Sequence, residues 1–433
     1  MGYAMTRPIC IAACSIFFFV SAHAATLPDP AVTALHAARL VDVVGARLVQ
    51  DAWVVVRAGR IMAVGDRSIV PAGATLVELG DSTLVPGLID CHTHLADMPN
   101  LPDPYETLRY SAVEIAYSAI PNAKATLQAG FTTVRDVGSY RALNDIALRD
   151  AIAKGYVEGP RMYVAGAYLT ITGGAGAMTG LANDIPMPAS LHYGEANGPW
   201  EVRAKVRDLV HQGADHIKLL STGAVLTHGS NPKSIEFTPE ALSAAVQDAA
   251  SFGLKVAAHA HALEGIKNAI RAGVASVEHA EYIDDESIAL AKAKGTYFDM
   301  DIYDEECIQS NSDEPADFLQ HDAELGELQR QAFRKAVKAG VKMTFGTDAG
   351  VCPHGINARQ FAFMVRYGMT PMQAIQSATV NAADLIGHAE LFGSITVGKS
   401  ADIIAVPGNP LEDVRRLEDV RFVMKEGRIY RHE

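Results

Sequence analysis

Cysteine is scarce in this chain, with 5 among 433 residues. Two of them, Cys10 and Cys14, fall in an N-terminal stretch that reads as an export signal, so Cys91, Cys307 and Cys352 remain. That number excludes a disulfide framework and allows one bridge at most. Nor does the spacing of the three suit a zinc ribbon. Long basic runs are missing, and the formal net charge of -13 gives a surface that repels nucleic acid phosphates. Short internal repeats and low-complexity segments are missing too. With 49% hydrophobic residues and Gly and Pro spread throughout, the chain is neither disordered nor fibrous. The apolar run from Ile9 to Val20 is too short for a comfortable membrane span. Arg7 ahead of it and Ala22-His23-Ala24 behind it complete the pattern of a signal peptide over residues 1–24. Cleavage after Ala24, a periplasmic or secreted protein and no stable membrane insertion are the expectations. A retained anchor is the alternative.

The length exceeds what one simple core holds, which predicts a large barrel plus a smaller domain. Residues 32–85 read as strands punctuated by Gly45, Gly59 and Gly65. The C-terminal end reads alike, with Ile403-Ile404-Ala405-Val406 and a Glu426-Gly427 turn. Residues 25–84 and 393–433 are therefore expected to form one composite β-sandwich domain. Between them, residues 85–392 alternate short strands with helical stretches. The candidate strands are Leu84–Asp90, Thr132–Asp136, Met162–Ala165, His216–Leu220, Lys255–His259, Ser276–His279, Thr296–Met300 and Lys342–Thr347. Eight strands with intervening helices predict an α/β fold of the (β/α)8 TIM-barrel type, with a doubly wound open sheet as the alternative. Two connections are long: Ala167 to Trp200, and the acidic Tyr303 to Ala323, which reads as a solvated loop or as an active-site wall.

Barrel enzymes carry their chemistry at the C-terminal ends of the strands. There stand His92 and His94, then Lys218, then His259 with His261 beyond it, then Glu278-His279, and finally Gly346-Thr347-Asp348. Each has an ordinary explanation when taken alone. An HxH pair can be two polar residues where a strand meets solvent, and a lone Lys is a solvated cation. An Asp after Gly-Thr is a helix cap. Together, each at the same end of a different strand, four imidazoles and a carboxylate suit zinc or a similar divalent ion. Cys91, between Asp90 and His92, faces the other way by alternation and reads as packing. His216, two before Lys218, reads as a deeper hydrogen-bonded residue.

The ordered set HxH, Lys, His, His, Asp resembles the amidohydrolase superfamily. So do Val85-Pro86-Gly87-Leu88-Ile89-Asp90, Ala257-Ala258-His259-Ala260-His261 and Gly346-Thr347-Asp348-Ala349-Gly350. The finer likeness is to the branch of prolidase-like dipeptidases, carboxypeptidases and ochratoxin-hydrolysing amidohydrolases. The resemblance implies two divalent metal ions per subunit. His92, His94 and Asp348 would hold one, His259 and His279 the other, and a CO2-derived carbamate on Lys218 would bridge them. Either His259 or His261 can be the strand-five ligand. It implies an enzyme cleaving the amide of an N-acyl amino acid or dipeptide by metal-activated hydroxide, with Asp348 as general base and acid. Ochratoxin A is the favoured substrate, with X-Pro dipeptides or peptides ending in a basic residue as alternatives. Tyr163, His228, His261 and His354 are candidate substrate contacts. Arg135, Arg161 and Lys233 are candidate cations for a substrate carboxylate. Tyr168, Leu226 and Tyr303 are candidates for an apolar pocket. The segment Thr172-Gly173-Gly174-Ala175-Gly176 departs from the family's TGGHG-like pattern, which bears on substrate identity. A homo-oligomer is implied by the resemblance alone. From other classes, a cyclic amidine or purine-type deaminase is disfavoured by Lys218, and a non-catalytic periplasmic binding protein by the complete set of ligand positions.

Overall fold

The computed structural model describes Gly2 and residues 31–97, 105–182, 184–310 and 316–433. The expected signal peptide lies outside the described residues, apart from Gly2. Among the described residues no helix is long and apolar enough to cross a membrane.

The N-terminal part forms β1 (Val32–Asp42), β2 (Arg47–Arg57), β3 (Arg60–Gly65), β4 (Thr75–Glu78) and β5 (Ser82–Pro86). The central part carries β6 (Leu88–Thr93), β7 (Phe131–Asp136), β8 (Arg161–Val164), β9 (Tyr168–Leu169), β10 (Ile217–Leu220), β11 (Val256–Ala260), β12 (Ser276–His279), β13 (Tyr297–Asp299) and β14 (Met343–Thr344). The C-terminal part adds β15 (Ile403–Pro407), β16 (Phe422–Lys425) and β17 (Arg428–His432).

Both chain ends share one eight-stranded sheet, in the order β17-β16-β15-β5-β1-β2-β3, with β4 also pairing with β1. Its alternation explains its place. Leu84, Ile403, Ala405, Phe422 and Met424 pack with Leu35 and Val54 in the sheet's own core. Their neighbours Val85, Ile404, Val406 and Val423 face the other way, into the main core of the central part. Period-two burial of this kind is what a sheet packed on both faces requires. Arg161 reinforces the seam through Asp402 at 2.8 Å and Glu426 at 2.8 Å.

The central strands run parallel in two arcs, β6-β7-β8 and β14-β13-β12-β11-β10-β9, in a mixed α/β fold. Backbone hydrogen bonds also cross between the arcs at both margins: Asp215 N donates to Val164 O and Cys91 N to Phe345 O, each at 2.8 Å. The expected strand Leu84–Asp90 is in fact two. Its first half, β5, pairs antiparallel with β15, and its second half, β6, pairs parallel with β7. The break comes at Gly87, whose N donates to Asp402 O and where any side chain would overlap Thr132.

The described part of the acidic connection is not a loop. It folds as a helix, Asp304–Ser310, and the first turns of a second, Ala316–Ala339. Phe318, Leu325, Phe333 and Ala336 are buried at helical spacing beneath the acidic surface residues that mask them in the sequence. Cys307 is disulfide-bonded to Cys352, the one bridge the cysteine count allows, and Cys91 is a free buried thiol packed with Ile89 and Phe392.

Candidate active site

The polar strand ends converge. The ring centroids of His92 and His279 lie 5.0 Å apart, those of His259 and His279 4.5 Å, and those of His259 and His261 4.4 Å. Asp348 completes the group, with Oδ1 at 3.1 Å from His94 Nε2 and 3.5 Å from His92 Nε2. Among the described residues four sets offer ligand atoms within 4.8 Å of one another, and two of them join the strand-end histidines: His259, His261 and His279, and His92, His279 and Asp348. His279 and Asp348 reach their positions with φ of 70° and 50°, a conformation uncommon outside glycine that marks functional turns.

Four imidazoles are gripped at Nδ1. His92 Nδ1 lies 3.1 Å from Glu278 Oε2, and His94 Nδ1 lies 2.7 Å from Gly138 O. His261 Nδ1 lies 2.7 Å from Glu281 Oε2, and His279 Nδ1 lies 2.9 Å from Asp301 Oδ2. An acceptor at Nδ1 fixes the tautomer and leaves Nε2 to face the cavity, the usual support of a metal-binding histidine. His259 differs, with Nε2 at 3.3 Å from Gly223 O. The strand-five pair therefore puts both rings in the same cluster by different supports. Beneath them Arg135 forks onto Glu278 at 2.8 and 3.0 Å and donates to Cys91 O at 2.6 Å. Asp90 ties β6 to the turn after β14, accepting from Thr347 Oγ1 at 2.6 Å and Asn357 Nδ2 at 2.8 Å.

The electrostatics fit a cation. Burial drives Lys218 below the ordinary lysine range, and among the described residues it makes no hydrogen bond or ion pair. Burial, with the Lys218 charge, lowers His92 to about 4. Burial would lower His94 and His279 as well, but Asp348 and Asp301 outweigh it and raise each to about 9. Burial opposes ionisation of Asp348, yet the surrounding imidazoles hold it well below the carboxylate range. The protons on His94 and His279 occupy places a metal ion would take. Among the described residues His261 Nε2 and Asp348 Oδ1 are buried without a hydrogen-bond partner, although His94 Nε2 lies 3.1 Å from Asp348 Oδ1. An unsatisfied imidazole nitrogen and carboxylate oxygen in one pocket are donors that a divalent ion satisfies.

The cluster floors a cavity of about 290 Å³. Tyr105, Tyr140, Tyr168, Ile115, Leu226, Ile308, Phe318 and Leu325 give it a largely apolar wall, and His228, Asp304, Asp322 and Gln329 add polar points. Lys218 is the one Lys or Arg lining it among the described residues. The segments 98–104 and 311–315, MPNLPDP and NSDEP, contain neither residue type.

Several expectations need correction. Tyr163 packs against His388 and Phe392, because it sits within β8 paired with Arg135, below the level of the cavity. Tyr168 reaches it instead, with Oη 3.1 Å from His94 Nδ1 and 3.2 Å from Asp97 Oδ2. His354 does not line the cavity, and both its ring nitrogens are buried without a partner. The turn closed by Gly350 N and Cys352 O presents Gly350 and Val351 in its place. Arg135 lies under the cluster, Arg161 serves the seam, and Lys233 lies 5.7 Å from the Tyr282 ring centroid, so none of the three lines the cavity. Tyr303 packs on Phe363 and likewise stays outside. His216 is deep as expected, but neither of its ring nitrogens finds a hydrogen bond. His228 and His261 do line the cavity. Glu281, Asp301, Gln329 and Tyr140 were not singled out from the sequence. The one local signal is that Asp301 follows β13 as the histidines follow their strands.

Comparison with known proteins agrees with this geometry. Residues 83–430 match the model of the amidohydrolase family. An ochratoxinase from Aspergillus niger is 35% identical over 373 residues, 80% of this chain and 75% of that protein. A crystal structure of a Xaa-Pro dipeptidase with methionine bound in its active site superimposes with a TM-score of 0.87 at 38% identity, covering 93% of this chain and 100% of that one. The crystal structure of A. niger ochratoxinase superimposes with a TM-score of 0.83 at 31% identity, covering 94% and 96%. The chain therefore belongs to the amidohydrolase family and is a hydrolase of amide bonds.

Proposed function

We propose that this enzyme cleaves an amide bond to an amino acid, using two divalent ions that His92, His94, Lys218, His279, Asp348 and His259 or His261 of the strand-five pair would hold. The two orphaned donors beside an unpaired buried lysine carry the reading. Bound metals supply Lewis-acid polarisation of the carbonyl and an acidified water. Burial lowers Lys218 and so favours the free amine, which is suited to capture CO2: its Nζ bonds the carbon, one proton leaves, and an anionic carbamate results. Asp348 accepts a proton from the attacking water and delivers it to the departing nitrogen as the C–N bond breaks. Glu278, Asp301 and Glu281 keep the imidazoles aimed. The cross-arc hydrogen bonds support reading the two arcs as one (β/α)8 barrel, with residues 25–84 and 393–433 as the second domain. The disulfide supports an exported enzyme, since such bonds persist in oxidising compartments.

The apolar and aromatic wall favours a bulky hydrophobic acyl or amino acid group, and ochratoxin A is the specific substrate we favour. A carboxylate in such a substrate would meet tyrosine hydroxyls and His228, because the cavity offers no guanidinium. Asp304 and Asp322 favour a second reading, a carboxypeptidase for basic residues. The test is a panel of ochratoxin A, N-acyl-phenylalanines, X-Pro dipeptides and peptides with basic C-termini, assayed with stoichiometric zinc. Turnover of the first two above the rest supports the reading. An inert, zinc-loaded protein across the whole panel would overturn it.

A further inference from the structure

Behind two of the cavity-facing imidazoles stand two carboxylates, and a single amide touches both. Gln329 Nε2 donates to Asp301 Oδ1 at 2.9 Å and, more loosely, to Glu281 Oε1 at 3.4 Å. Asp301 in turn holds His279 Nδ1, and Glu281 holds His261 Nδ1. The result is an unbroken line, His261–Glu281–Gln329–Asp301–His279, whose members are all at most 5% exposed. Ionised carboxylates only accept, and an amide NH2 has two hydrogens to give, so the chemistry sets the amide's orientation. With no donor between them, two buried anions would repel one another and each would lose a partner. The amide keeps them at one separation and so keeps the two rings, 4.9 Å apart and 25° from parallel, in one mutual orientation.

Gln329 also links two parts of the site. It belongs to the helix Ala316–Ala339, which presents Phe318 and Leu325 to the cavity. The element that forms the substrate wall thus reaches behind the metal-facing histidines. We infer that Gln329 is a positioning residue that couples this wall helix to the aim of His261 and His279, and through them to metal affinity. The inference rests on the metal-dependent reading above.

The test compares the wild-type chain with Gln329→Met and Gln329→Leu, all freed of metal by chelation and then titrated with zinc against a chromogenic chelator. Gln309→Met is the matched control: Gln309 Nε2 bonds Asp322 Oδ2 at 2.7 Å on the same wall, and Asp322 holds no cluster histidine. Both Gln329 variants are expected to lose about 10–100-fold in zinc affinity at one site or more. Their metal-free chains should stay folded with melting temperatures lowered by a few degrees, because two buried carboxylates each lose a donor, and kcat should fall while KM stays within about twofold. The control should bind zinc as wild type does. Wild-type affinity in both Gln329 variants would overturn the inference, as would an equal loss in the control. Loss of the fold in both variants would also overturn it, since Gln329 would then be structural. Should the wild-type chain itself bind no zinc, the functional reading fails instead.

Discussion

The cavity has two walls built on different principles. The floor is made of strand ends, where every imidazole but His259 is anchored at Nδ1, and three of the four anchors, Glu278, Glu281 and Asp301, are themselves held by Arg135 or Gln329. The facing wall is made of the helices Asp304–Ser310 and Ala316–Ala339, which set Ile308, Phe318 and Leu325 toward the cavity beside Asp304 and Asp322, and it is secured at Cys307–Cys352. Rigid elements hold the groups that must meet within tenths of an ångström, and connections hold the groups that select the substrate. Floor substitutions should therefore act on kcat and metal content, and wall substitutions on KM and substrate preference.

The sharpest way to break this division is Lys218→Ala. It should abolish turnover for every substrate in the panel and lower the bound metal below two ions per chain, as read by elemental analysis. Normal turnover would remove the bridging role. Next is the wall's covalent tie. Replacing Cys307 and Cys352 by Ser opens a bridge spanning 45 residues and should cost about 2–4 kcal/mol in denaturant unfolding. It should raise KM more than it lowers kcat, and an equal loss in metal content would blur the two walls. Leu325→Ala, on the wall alone, should raise KM for bulky substrates about tenfold and leave zinc affinity unchanged.

The smallest effect concerns Glu236, which braces the loop bearing Ala175 by accepting from Ala175 N at 2.8 Å. Burial raises its carboxyl from 4.5 to about 7. A raised carboxyl favours the protonated folded state, so stability is lost as pH rises from 4.5 to 7. Glu236→Gln should flatten this slope by about 1–2 kcal/mol in chemical denaturation at the two pH values, allowing for partial exposure. An unchanged slope would remove Glu236 from the pH response.

The floor was legible because each of its polar residues follows an apolar strand, so a polar residue there stands out against the pattern. The wall was not. The acidic residues of 303–323 left a solvated loop and an active-site wall equally open, and the helical spacing of Phe318, Leu325 and Phe333 showed itself only once burial separated the two faces. Tyr163 and Tyr168 could not be ranked from the sequence, because the choice depends on strand register, which sets Tyr163 beside Arg135 and Tyr168 beside Lys218. Arg135 looked like a substrate cation, yet its partners Glu278 and Cys91 lie on other strands and draw it underneath.

What the sequence determined by itself is the order of metal-ligand types along the chain and the two-sided alternation of the terminal strands. Both follow from local spacing, which any single segment carries. Only the tertiary structure decided which acceptor stands behind each imidazole. Glu281 follows His279 by two residues yet serves His261, while His279 turns to Asp301 beyond the next strand. Neighbouring parallel strands bring residues from distant segments side by side, and the buried nitrogen bonds the acceptor that this crossing places in reach.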